Sequence, residues 1–138
     1  MTAHPEDTVS IRPGRRPLWV LLLQRNSPDV LYEAAAMTAA AVSMGLEVTL
    51  VWFDAALDEL AAGRLDAGDA SAEAGTLGGA GRLLLEARDS GHVRMLACSA
   101  SAIAGRGGMD AARARVDDIV GWPTAISLIR AAEHSFVW

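Results

Sequence analysis

The chain has 138 residues and a formal net charge of −5, and its twelve basic residues are all arginines, scattered from Arg12 to Arg130 without forming a stripe. That length suits one domain around one core, and the dispersed charge of an acidic chain argues against a nucleic-acid partner. A single cysteine leaves no internal disulfide, no cysteine-based zinc site and no CxxC pair, the usage of a reducing, cytoplasmic compartment.

Residues 1 to 16, with Pro5, Pro13, Gly14 and an arginine pair, carry no apolar period and are expected to be a disordered tail before one domain over 17–138. Leu18 to Leu23 is a continuous apolar run of strand length, as in a central strand of a parallel sheet covered on both faces. The run is too short for a signal peptide's apolar region. Since no window approaches the ~20 apolar residues of a membrane span, no membrane partner is expected.

Ser27-Pro28-Asp29 is a helix start, in which Ser27 can accept from an orphan N–H, Pro28 needs no donor and Asp29 faces the positive helix end. The helix is predicted to run to Met44, with Val30, Ala34, Met37, Ala41 and Met44 on one face and Gly45 as its stop. Glu47 to Phe53 is the second predicted strand. A short helix over Ala55 to Ala62 follows, then a glycine-rich loop. Periodicity returns with Leu77, Ala80, Leu83, Leu84 and Ala87, a helix closed by Gly91, and Val93 to Ala97 reads as the third strand. Next come a small-residue helical turn over Ser99 to Ala104, a glycine loop, a turn of helix from Asp110 and a short strand near Val116 to Val120. Pro123 opens a helix through Ala132, and Ser135 to Trp138 is the last strand.

Strands alternating with helices predict an α/β fold, a three-layer α/β/α sandwich on a mainly parallel five-stranded sheet. Ligands in such folds bind beyond the carboxyl ends of the strands, and Cys98 stands there. Other chemistry has little support. Gln24 to Asp29 lacks both dinucleotide-binding glycines and a phosphate-loop lysine, and Gly75-x-x-Gly78-Gly79-x-Gly81 follows no good strand. His4, His92 and His134 form no cluster at metal spacing, and no GxSxG elbow surrounds Ser99 or Ser101. Neither a metal nor a cofactor is expected.

Free cysteine is often a small apolar filler. At a strand-to-helix junction, however, the Cys98 sulfur can face the N–H groups of Ala100 and Ser101, which would favour the thiolate, the nucleophilic form. Cys98 is thus the candidate nucleophile, with Ser99, Ala100 and Ser101 as a backbone cradle for an anion.

The ordered set of features resembles the DsrE/DsrF/DsrH-like (TusD-like) family of sulfur-relay proteins over about Leu18 to Trp138. The matching pieces are a first strand and an alanine-rich helix ending Met44-Gly45, EVTLVWF, a helix ending Ser90-Gly91, the run VRMLACSASAIAGRGG, and the closing AISLIRAAEHSFVW. The resemblance implies a DsrE-like fold, sulfane sulfur carried as a persulfide on Cys98, transfer between donor and acceptor proteins, and a homo-oligomer, trimer or hexamer. The rival expectation is a non-catalytic oligomeric subunit for small-ligand binding or assembly, with Trp52, Phe53, Trp122 and the glycine loops lining a pocket.

Overall fold

The computed structural model describes residues 16–66 and 73–138; the expected tail, apart from Arg16, and the middle of the glycine-rich loop lie outside them. The strands are β1 (Leu18–Leu23), β2 (Glu47–Trp52), β3 (Val93–Cys98), β4 (Asp118–Val120) and β5 (His134–Val137). The helices are α1 (Pro28–Ser43), α2 (Asp54–Ala61), α3 (Leu77–Asp89), α4 (Ser99–Ala104), α5 (Gly108–Arg113) and α6 (Trp122–Ala131). The five strands form one sheet in the order β4-β3-β2-β1-β5, and every neighbouring pair is parallel. No helix among the described residues is long and apolar enough to cross a membrane.

The layering follows from strand order. The chain moves from β1 through β2 and β3 to β4 in one direction, so right-handed crossovers place all the intervening helices on one face. The last step reverses, from the β4 edge to β5 beyond β1, and its helix goes to the other face. The packing agrees with this: Leu21, Leu23, Leu50, Trp52, Met95 and Ala97 meet helices α1 to α5. On the opposite face Val20, Leu22, Val51, Leu96, Cys98 and Val120 have, among the described residues, only α6, through Leu128 and Ile129. The sandwich has three layers of unequal thickness.

Small residues shape the thick side. Helices α1 and α3 pack together, and α3 opens on a Thr76 cap whose hydroxyl accepts from the Gly79 N–H at 3.0 Å. Gly79 and Gly81 lie inside α3, where only glycine fits, since a Cβ on either would meet backbone carbonyl oxygen, 2.0 Å from that of Glu73 and 1.8 Å from that of Leu65 respectively.

Two local expectations are corrected. Ser27 caps α1 by position, but its side chain makes no cap hydrogen bond. The buried face of α1 is Leu31, Ala34, Ala35, Thr38 and Ala41, and Met44 is 78% exposed. An alanine-rich helix is apolar nearly all round, so periodicity alone does not fix its inward face. Thr38 sits there at no polar cost because its hydroxyl donates to the Ala34 carbonyl at 2.8 Å.

At the surface, Arg115 donates from Nε and Nη2 to the two oxygens of Asp66 at 3.0 and 2.9 Å. Those hydrogen bonds hold the Asp66 carboxyl below its ordinary value, against slight desolvation. A depressed folded-state value means that the contribution is present above the unfolded value and lost as pH falls through the folded one. Removing the clamp with Arg115→Met is therefore expected to make the Tm fall less steeply below about pH 4. Thermal melts across acid pH check this; identical slopes would mean that the exposed pair contributes nothing.

Candidate functional site

The strand-order reversal also marks a position on the carboxyl edge of the sheet. After β3 the chain turns into α4 on the thick side, and after β4 it turns into α6 on the thin side. Parallel sheets open a crevice where neighbouring strands send their connections to opposite faces. Here that point lies between β3 and β4.

Cys98 is the last residue of β3 and pairs in register with Val120, the last residue of β4. Ser99 and Gly121 follow them, close enough that a Cβ on Gly121 would lie 3.9 Å from the Ser99 hydroxyl. The point of divergence is thus bordered by Ser99 on one side and Gly121-Trp122 on the other. Cys98 ends β3 at this point and is buried.

The sulfur belongs to the thin side. Strand alternation turns Cys98 the same way as Leu96, into the cluster with Val51, Phe53 and Val120, and leaves it 4% exposed. It occupies the N-cap position of α4, yet its side chain makes no hydrogen bond to that helix. The expected contact between sulfur and the N–H groups of Ala100 and Ser101 is therefore absent. Those donors end on the helix-rich side, while the pleat of β3 directs the sulfur the other way. Arg94 lies four residues back, about 13 Å along the strand, and is exposed.

An aromatic stack stands at the same end of the sheet. Phe53 follows β2 and Trp122 follows β4, and their rings stack with centroids 5.0 Å apart. Since β3 lies between those strands, the stack spans the end of β3 on the face holding Cys98. Trp122 is 49% exposed, so its ring has solvent on its outer side, while Leu128 and Ile129 of α6 also pack against the cluster that holds Cys98. Sequence reasoning had Trp52, Phe53 and Trp122 lining one pocket, but Trp52 is fully buried on the thick side, turned away from the other two. Consecutive strand residues face opposite ways, and this separates Trp52 from Phe53.

Ser101 has a role the sequence did not signal. Its hydroxyl donates to Asp54 Oδ1 at 3.1 Å, tying α4 to the start of α2 across the ends of β3 and β2. Asp54 has φ +46°, a left-handed conformation that a non-glycine residue adopts at a cost of roughly 1–2 kcal/mol. A link of this kind fixes α4 against its neighbour, so the Ser99 to Ser101 backbone is held in place although the sulfur makes no cap hydrogen bond to it. Neither strain nor hydrogen bond is visible in residue type alone.

No protein-family model matches the chain, and a search of curated proteins finds none similar to it.

Proposed function

We propose that the chain is a small sulfur carrier in which Cys98 takes up sulfane sulfur and passes it to an acceptor thiol. The observation that carries this reading is the place of Cys98 at the carboxyl end of β3, beside the point where the connections after β3 and β4 diverge, the position at which parallel sheets bind ligands. Its resemblance to DsrE/DsrF/DsrH-like proteins supplies the chemistry. Loading is a thiol exchange: the Cys98 thiolate attacks the terminal sulfur of a donor persulfide R–S–SH, the S–S bond of the donor breaks, and R–S⁻ leaves as Cys98–S–SH forms. Unloading repeats the step with the acceptor thiolate as nucleophile and restores the Cys98 thiolate. No net oxidation occurs, and no metal or cofactor is needed.

Access to the sulfur then requires the Trp122 ring to move off the end of β3, a local displacement of a half-exposed side chain at the first position of α6. Donor and acceptor are proteins presenting thiols, met in the cytoplasm, and the carrier works as a homo-oligomer, trimeric or hexameric. Trp122 and Ile126, both about half exposed, give the outer side of α6 an apolar surface for such contacts.

A second reading is favoured by the 4% exposure of Cys98. On that reading the cysteine is an apolar filler and the chain is a non-catalytic binding or assembly subunit. Intact-mass measurement after incubation with a sulfane-sulfur donor separates the two. The carrier is expected to gain the mass of one sulfur in wild type and none in Cys98→Ser, with the added atom removed by an acceptor thiol. A wild type that stays unmodified with both polysulfide and protein-persulfide donors would leave only the subunit reading.

A further inference from the structure

We propose that a second site, a cavity of about 210 Å³ on the opposite side of the sheet from the Cys98 sulfur, binds a free α-amino acid. Three segments build it: Asn26 follows β1, Asp58, Glu59 and Arg64 come from α2 and the turn after it, and Arg106 stands in the glycine loop between α4 and α5. All three segments emerge at the carboxyl edge of the sheet, on the helix-rich side. The site does not depend on the sulfur-carrier reading.

Charge selects the ligand class. Glu59 is occupied by Arg64, which donates to it at 3.0 Å. Asp58 and Arg106 border the same space, and among the described residues neither has an ion-pair partner. Asp58 points at the base of the loop that carries Arg106, since a Cβ on Gly105 would lie 3.0 Å from Asp58 Oδ1. A carboxylate and a guanidinium thus line one small cavity without neutralising each other.

A simple anion entering would face Asp58 and Glu59, and a simple cation would face Arg106 and Arg64. A molecule carrying both charges a few ångströms apart satisfies both walls. Its ammonium donates to Asp58, and its carboxylate accepts from Arg106, whose planar fork suits that group. The Asn26 amide can donate to the one or accept from the other. The volume lies below the roughly 300–1,000 Å³ usual for drug-sized ligands, which fits a single amino acid.

Isothermal titration calorimetry on the full chain tests this with each standard free amino acid, followed by the N-acetyl and carboxamide forms of the best binder. The expected result is one amino acid bound per chain with a Kd of about 1 mM or tighter, weakened at least about tenfold by blocking either end. Arg106→Gln and Asp58→Asn should each weaken it to a similar extent, with far-UV circular dichroism unchanged. Arg106 is exposed, so its replacement leaves the core intact even if the Asp58 variant folds poorly. Absence of binding by every free amino acid, equal binding of the blocked forms, or an Arg106→Gln protein that binds like wild type would each overturn the proposal.

Discussion

Trp52→Ala is expected to destabilise the protein by about 3–5 kcal/mol, out of a total of roughly 5–15 kcal/mol for a domain of this kind. Trp52 ends the central strand β2 between Leu23 of β1 and Ala97 of β3, and it is fully buried. Its removal leaves a cavity that two parallel neighbours cannot close, because their backbones are fixed by ladder hydrogen bonds. The indole Nε1 has no hydrogen-bond partner among the described residues, so part of what the ring contributes is offset by an unsatisfied donor. Trp52→Phe removes that donor and keeps an aromatic ring. Relief worth roughly 1–3 kcal/mol should hold its net loss below about 2 kcal/mol. Urea denaturation of both variants checks the pair, and a similar loss for Phe and Ala would contradict the role given to the buried N–H.

Gly81→Ala is the second large effect, and two principles oppose each other in it. In an open helix interior alanine is favoured over glycine by about 0.8–1.0 kcal/mol. In α3 the added Cβ would stand 1.8 Å from the Leu65 carbonyl oxygen, closer than any real contact, and that atom is backbone. Overpacking of this kind costs about 1–3 kcal/mol and more where nothing flexible can yield. The clash wins, and a net destabilisation of about 2 kcal/mol is expected from thermal or denaturant unfolding. A more stable variant would mean that the approach of α3 to the turn at Leu65 is looser than described.

Much of the architecture was legible because it depends on local signals. The six-residue apolar run at Leu18, glycines with positive φ at Gly45 and Gly91, and proline at the start of α1 each mark one boundary by backbone chemistry. The third strand and the helical turn after it were equally plain, so the position of Cys98 at the carboxyl edge could be read directly. Strand order is a different kind of information. Nothing in AISLIRAAEHSFVW states that β5 lies beside β1, so the unequal layers, the divergence between β3 and β4 and the stack of Trp122 on Phe53 had no sequence signal. The direction of the Cys98 sulfur depends on that order together with the pleat, and for this reason the expected hydrogen bonds from Ala100 and Ser101 did not materialise. The polar cavity was hidden for the same reason, since Asn26, Asp58 and Arg106 are far apart in the chain and meet only through the topology.

The reading of Cys98 as a reacting group depends on one physical condition, that the thiol is reached by a local movement at Trp122 while the sheet stays folded. Native-state alkylation of the thiol in increasing urea measures this directly. The account predicts that Cys98 reacts below the unfolding transition at a rate almost independent of urea, and that Trp122→Ala speeds the reaction about tenfold or more without a matching loss of global stability. A thiol that reacts only in step with global unfolding, in wild type and Trp122→Ala alike, would contradict it and make Cys98 a packing residue.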